Sequence, residues 1–456
     1  MDDKPKKTRI CTDPWAYIEI GTKGLISPCC KYQPVADLDE TTNTVSSILG
    51  SSGYHHLRQQ LLTGDLSTTC ATCHIRPMGS LDDLRNRVEK ICKGSQPTDA
   101  IPKPREIELR IDLTTRCNLR CTYCAVSAPG YVGKDMEPKT FSELLSFLKT
   151  LPPDVATQVH INGHGETTYH PEWEKAAYAV LESGRRPYII TNLAKNYRQE
   201  EIDLLAKFAC IQISLDSADE ALMKKIRKPV RVAKILENLQ AVRNSAVVQG
   251  AEPPQISLSI GVYDPSIWKL LNLIDLAHEL KIREMTFWNL VEYGHQKHVS
   301  ALTRLEGEQL QQAHDIMVEL QRRLYLYKID HFFAGDFVDR NGKSFLLDQN
   351  VFDRLPKRLE ELDRSDRLWL HHNLQADVIV DEEQDARAVA GWEDLLKEKK
   401  RLGRVIDAPE DFDEAVYLSA NPDVRQAIKL GALPSAFEHY ISYGRQEGRR
   451  RPVEFY

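Results

Sequence analysis

The chain has 456 residues, of which 42% are hydrophobic and 28% charged, a globular composition long enough for about three domains and unlike a largely disordered chain. Its 60 basic and 66 acidic residues leave a net charge of -6, so no global basicity points to nucleic acid or an anionic membrane as partner. No apolar run approaches the roughly 20 residues that span a bilayer, and the opening MDDKPKKTRI lacks a signal-peptide core, so a cytoplasmic location is expected.

Nine of the ten cysteines fall in the first 124 residues: Cys11, Cys29, Cys30, Cys70, Cys73, Cys92, Cys117, Cys121 and Cys124, with Cys210 apart. In a reducing compartment such clustering points to metal or catalysis rather than disulfides. Residues 1–95 read as short strands and turns followed by a helical stretch, YHHLRQQLLTG, a small metal-organised domain. The polar segment KGSQPTDAIPKPRE then marks a boundary near 93–106.

From there strands and helices alternate. Strands are expected at 107–113, 158–161, 188–191, 211–215, 255–262 and 284–288. The first intervening helix carries Phe141, Leu144, Leu145 and Leu148 on one face, with Thr140 and Glu143 as a capping box. Six β/α units over 96–305 imply a parallel sheet, doubly wound or curved into a partial barrel, with chemistry at the C-terminal strand ends. Residues 306–404 open with an amphipathic helix and have no functional reading, and 405–456 read as a small helical module.

The chemistry concentrates in RIDLTTRCNLRCTYC, where a strand runs into a loop bearing Cys117, Cys121 and Cys124 at Cys-x3-Cys-x2-Cys spacing. Structural zinc and electron-transfer 4Fe-4S sites normally take four protein ligands, whereas three leave one iron open to an outside group. A zinc site borrowing a histidine is the competing reading.

This motif, with Tyr123 before its last cysteine, resembles the signature of the radical S-adenosylmethionine (radical SAM) superfamily. The resemblance extends from 107 to about 290 and selects the partial (β/α)6 barrel. It implies a 4Fe-4S cluster on the three thiolates whose open iron chelates SAM. HINGHGET resembles the family's Gly-Gly-Glu motif, placing Gly163, Gly165 and Glu166 at the SAM amino group; His164 stands where the middle glycine is usual and Thr167 where a proline is. By the same resemblance Tyr123, Thr191 and Asn192 in ITNL, Ser214 and Asp216 in ISLDS, and Arg227 in KKIRKP are expected at SAM, although Lys228 replaces the glycine that often follows that arginine.

Cys11, Cys29, Cys70 and Cys73 form a second constellation. Their spacing resembles SPASM and twitch domains, and specifically the shorter twitch version that holds one auxiliary 4Fe-4S cluster, here preceding the core instead of coming after it. A zinc ribbon on the same thiolates is the alternative, and Cys30 can stand in for Cys29. Cys92 and Cys210 read as packing residues. The C-terminal segment that runs from YLSANPDVRQAI to EHYISYGRQEGR resembles a short repeat found beside glycosyltransferases, a pointer to saccharides.

The expected function is therefore a radical SAM oxidoreductase. It cleaves SAM to a 5'-deoxyadenosyl radical, abstracts a hydrogen atom from a saccharide or other small molecule, and passes an electron to the auxiliary cluster. A flavodoxin or ferredoxin is the expected donor. A radical SAM maturase acting on a ribosomally made peptide is the alternative, and a non-catalytic zinc or iron-sulfur protein is the reading of another class. Tyr263, Asp264, Trp288, Asn289, Glu292 and His164 are candidates to line the cavity; no side chain is assigned as the base.

Overall fold

The computed structural model describes residues 6–347, apart from 40, 41, 74, 291 and 293, together with positions 414, 417, 418, 421, 424, 425, 428 and 435–440. By internal contact the chain divides into two units, Met1–Leu310 with Arg322–Lys343, and Gln311–Gln321 with Ser344–Tyr456. Every candidate functional residue lies in the first.

In chain order the strands are β1 (Lys7–Arg9), β2 (Tyr17–Ile20), β3 (Leu25–Ser27), β4 (Ala36–Asp37), β5 (Met78–Ser80), β6 (Glu106–Ile111), β7 (Arg120–Cys121), β8 (Ala156–His160), β9 (Pro187–Thr191), β10 (Cys210–Ser214), β11 (Arg227–Lys228), β12 (Gln255–Val262), β13 (Glu284–Asn289) and β14 (Asp330–Ala334). One sheet has the order β14-β13-β12-β10-β9-β8-β6-β2-β3-β4. From β14 to β2 all neighbours are parallel, and β3 and β4 are added antiparallel. All six expected strands are present. The parallel run is longer than expected, because β2 joins one side and β14 the other.

Parallel neighbours require crossovers, and the helices Pro138–Leu148, Trp173–Glu182, Gln199–Leu205, Val232–Val248 and Leu270–Glu279 supply them. Leu144, Leu148, Val180, Leu239 and Ile274 on these helices are fully or almost fully buried, as are Leu109, Ile111, Val159, Ile189, Ile213 and Ile260 on the strands. Each such side chain contributes about 1.5–3 kcal/mol. Strands β6, β8, β9 and β10 nonetheless alternate: on β6, Ile107, Leu109 and Ile111 are buried while Glu108 and Arg110 are only half-buried. A parallel strand covered on both faces by apolar layers would be apolar throughout. The sheet is thus an α/β layer with helices on one face and a polar inner face, consistent with a partial barrel.

The helix Pro138–Leu148 starts one turn away from the expected capping box. Its N-cap is Glu137 and Pro138 occupies the first position, where the fixed proline φ begins the helix without a side-chain cap.

The N-terminal region has a small core of its own, Ile10, Trp15, Leu57, Leu61, Leu84, Val88 and Cys92 among its members, closed by the β1–β5 pair. Cys92 is 2% exposed and packs there as expected. Through β2, in register with β6 at Tyr17–Glu108 and Glu19–Arg110, this region also belongs to the main sheet.

In the second unit, the buried Gln321 amide donates to the Met317 and Phe345 carbonyls and accepts from Leu347 N. The described positions between 414 and 440 are nearly all helical, with Tyr417, Val424, Ala436, Phe437 and Tyr440 packed together. The rest of the expected 306–404 and 405–456 regions lies outside the described residues. Among the described residues no helix is long and apolar enough to cross a membrane.

Candidate active site

The chain leaves β6 at Ile111 and reaches Cys117 through a braced loop. Asp135 accepts from the Thr114 hydroxyl at 2.6 Å and from Arg116 at 2.6 Å. Beyond Cys117 the loop is fastened again: β7 pairs antiparallel with β11, setting Cys121 opposite Arg227, and Thr122 N donates to the Ile226 carbonyl at 2.8 Å. His295, which no sequence pattern singled out, makes a 3.0 Å contact through Nε2 with the Cys124 carbonyl.

The three thiols are neighbours: Cys124 bears on the protonation of both Cys117 and Cys121, and Cys117 on that of Cys121. Burial, then the Glu166 carboxylate, pushes Cys117 up to about 11, and burial pushes Cys121 up to about 12. Such thiols ionise at a cost unless something positive binds the sulfur. Donors for a thiolate are in place, with Leu119 N at 3.4 Å and the Asn192 amide at 3.9 Å from Cys117 Sγ. Amide donors around cluster sulfurs are a standard means of tuning them. The donor set fits a 4Fe-4S group with three protein ligands.

The glycines of the GHGE loop are dictated by close approach. A Cβ on Gly163 would stand 1.9 Å from Asp112 Cγ, and one on Gly165 would stand 2.3 Å from the Arg116 carbonyl and 2.4 Å from that of Thr114. The loop therefore lies directly on the segment leading to Cys117. Glu166, 3% exposed, accepts from the Thr191 hydroxyl at 2.7 Å, the Thr168 hydroxyl at 2.8 Å and Asn192 N at 2.8 Å. The Asn192 amide donates in turn to Asn118 Oδ1 at 2.8 Å, inside the cysteine loop. Glu166, Thr191 and Asn192 thus tie the ends of β8 and β9 to that loop. Burial pushes the Glu166 carboxyl up, against these hydrogen bonds.

Ser214 ends β10, half-buried. Asp216, Arg227 and Tyr123, expected at SAM, are found bonded to one another. Arg227 donates to Asp216 through Nε at 2.8 Å and Nη2 at 3.0 Å, and the Tyr123 hydroxyl donates to Asp216 at 2.8 Å.

Most expected cavity residues also have other partners. Tyr263 is fully buried and donates to Asp216; Trp288 packs edge-on against Tyr123. Asp264 accepts from Trp268, Asn289 donates to the Asp336 carbonyl, and Glu292 pairs with Arg304. His164 differs: its side chain is 73% exposed, with Nδ1 3.1 Å from Asp112 Oδ2. Glu19 and Arg110, on the inner face of β2 and β6, act on it as well.

All five remaining N-terminal cysteines of the early clusters line one cavity of about 170 Å3: Cys11, Cys29, Cys30, Cys70 and Cys73, together with Tyr17, Glu108 and Arg110 from β2 and β6. Its CxxC wall is held by Arg9, which donates to the carbonyls of Cys70 at 2.7 Å, Ala71 at 2.5 Å and Arg76 at 2.9 Å. Tyr32 N donates to Cys29 Sγ at 3.3 Å, and burial pushes Cys29 up to about 11. Cys30 faces a different environment, since Glu19 and Arg110 are its largest electrostatic influences. Among the described residues no three His, Cys, Asp or Glu side chains stand at the spacing of a single bound ion. The cavity instead has room for a larger group with thiols around its wall.

Residues 111–251 match the model of the Radical SAM superfamily. The chain is 31% identical over 162 residues to a GTP 3',8-cyclase of Mycolicibacterium smegmatis, covering 35% of this chain and 42% of that protein. It is 29% identical to a GTP 3',8-cyclase of Mycobacterium sp. strain KMS, over 39% of this chain and 51% of the relative. The chain thus spans about half the length of the curated relatives it matches. Among solved structures, Streptococcus suis SuiB bound to S-adenosylmethionine aligns over 70% of this chain and 72% of that one at 16% identity and TM-score 0.40. A structure of anSMEcpe with bound AdoMet aligns over 50% and 63% at 16% identity and TM-score 0.37.

Proposed function

From a Radical SAM superfamily domain over residues 111–251, we propose that the protein is a radical SAM oxidoreductase that removes two electrons from a polar small molecule, with a saccharide-like alcohol as the leading class. The observation that carries this reading is the position of the two thiol sets. Cys117, Cys121 and Cys124 come after the C-terminal end of β6, and the five-cysteine cavity shares Glu108 and Arg110 of that same strand.

When bound, a 4Fe-4S cluster and SAM supply a 5'-deoxyadenosyl radical able to take a hydrogen atom from an unactivated carbon, and an auxiliary cluster supplies a site for the second electron. The chain's residues do the rest. Cys117, Cys121 and Cys124 would hold the first group. Gly163, Gly165 and Glu166 would be the residues at the methionine end of SAM, with Thr191, Asn192 and Ser214 at the neighbouring strand ends. Cys11, Cys29, Cys70 and Cys73 would hold the second group.

Near the five-cysteine cavity, whose wall includes Arg110, stand Glu19 and His164, groups suited to hydroxyls rather than to an apolar ligand. Asp112 fixes the imidazole of His164, leaving Nε2 to receive the proton that accompanies the second electron. Hydrogen atom, electron and proton together amount to oxidation of a CH–OH to a carbonyl.

The test is an anaerobic incubation of reconstituted protein with SAM, dithionite or reduced flavodoxin, and probe substrates: GTP, nucleotide sugars and short peptides. The reading expects a nucleotide sugar to accelerate 5'-deoxyadenosine formation and to appear two mass units lighter. Acceleration by peptides, with a crosslinked or thioether product, would replace it with the maturase reading.

A further inference from the structure

Asp216 and Arg227 form a built site of a kind that the motif positions do not announce. The Asp216 carboxylate, with no exposed surface, receives five hydrogen bonds: Arg227 Nε and Nη2, the Tyr123 hydroxyl, the Tyr263 hydroxyl at 2.8 Å and Gly261 N at 2.9 Å. A carboxylate offers about four lone-pair sites, so this one has no capacity left for a ligand. Arg227 spends two donors on Asp216, lies 5.5 Å above the Tyr123 ring, and its side chain is 7% exposed. Gly261 completes the arrangement, because a Cβ there would stand 2.4 Å from the Tyr263 ring and 2.6 Å from that of Trp288.

Three ties run from this cluster to the thiolate loop. Tyr123 belongs to the loop and donates to Asp216, the Arg227 backbone pairs with Cys121, and Thr122 N donates to the Ile226 carbonyl. Resting on the radical SAM reading above, we infer that Asp216 and Arg227 are positioning residues for Cys117, Cys121 and Cys124, holding the loop in register and a fixed cation beside Cys121, and are not ligands of SAM. The β7–β11 register sets Arg227 directly opposite Cys121, whereas Asp216 reaches the loop through Arg227 and Tyr123. A cation so placed stabilises the more negative, reduced state of a thiolate-bound cluster and raises its potential.

The experiment uses the full-length, reconstituted protein and three readouts: iron content, the EPR spectrum and midpoint potential of the SAM-responsive cluster, and the affinity for SAM by equilibrium dialysis. Removing one partner strands a buried charge, so the main variant is the double D216N/R227M, beside R227K, which keeps the charge and loses the fork. The expected result is a lower potential and an altered SAM-free EPR spectrum in the double variant, partial recovery of the potential in R227K, and SAM affinity changed by less than about threefold in both. If the double variant fails to fold, Y123F and Y263F each remove one hydrogen bond and keep the ring, and the same pattern is expected of them. A loss of SAM affinity beyond about tenfold in R227K and the double variant alike, with the SAM-free spectrum and potential unchanged, would make Arg227 a SAM ligand and overturn the inference. A wild-type protein without any SAM-responsive signal would overturn the radical SAM reading and this inference with it.

Discussion

Asp112 occupies the space that a side chain on Gly163 would need: a Cβ there would stand 1.9 Å from its Cγ and 2.1 Å from its Oδ1. The carboxylate cannot move aside freely, since its other oxygen accepts from His164 N at 3.3 Å and contacts the His164 ring. Gly163→Ala is therefore expected to cost about 1–3 kcal/mol, the range for overpacking a filled site. Adding Asp112→Ala should recover part of the loss by vacating the space. Thermal unfolding of the two variants against wild type checks this, and equal melting temperatures for Gly163→Ala and wild type would contradict it.

His164 should report the same contact by its titration. The hydrogen bond to the Asp112 carboxylate is the largest influence on the imidazole and holds its pKa above the ordinary value. A folded pKa above the unfolded one means that the pair stabilises the protein below about pH 6.5 and that this contribution is lost as pH rises through the raised value. The ring is mostly exposed, so the effect on stability is small and NMR of labelled histidine is the suitable measurement. Asp112→Asn is expected to lower the His164 pKa, and an unchanged titration curve would contradict the dyad.

Thr191 braces Glu166. Its hydroxyl donates to the carboxylate and accepts from Leu193 N at 3.0 Å, all within buried structure. Thr191→Val keeps the shape and leaves a buried acceptor short of a donor, an expected cost of about 1–3 kcal/mol in urea unfolding. Thr191→Ser should restore most of it.

The N-terminal thiols divide by environment. Cys29 accepts from Tyr32 N and bears on Cys11, whereas Cys30 is set beside Glu19 and Arg110. Cys29→Ala is expected to remove about four of about eight irons and Cys30→Ala none. Iron and sulfide analysis after anaerobic reconstitution decides between them, and loss of iron from Cys30→Ala alone would reverse the assignment.

Much of this site was legible because its signals are local. The Cys-x3-Cys-x2-Cys spacing, the glycines of GHGE and the alternation of apolar strands with amphipathic helices are all written within a few residues of one another. The expected roles of Asp216 and Arg227 came from their positions in SLD and IRK segments. The buried cluster they form also takes in Tyr263 and Gly261, some 45 residues beyond Asp216, and no local pattern carries such a grouping. The joining of β2 to the main sheet was hidden for a similar reason. Its four residues, YIEI, sit in a cysteine-rich stretch, and their partner is β6, about ninety residues later in the chain. Arg9 and His295, which hold the CxxC turn and Cys124 through backbone carbonyls, left no sequence signal at all.

The most direct measurement is the metal content of anaerobically reconstituted protein together with 5'-deoxyadenosine formed from SAM and dithionite, comparing wild type with the variant in which Cys117, Cys121 and Cys124 are all alanine. The account predicts about eight irons and deoxyadenosine in the wild type, and about four irons and no deoxyadenosine in the variant. Zinc in place of iron, or no deoxyadenosine from the iron-loaded wild type, would contradict it and leave a metal-stabilised binding protein.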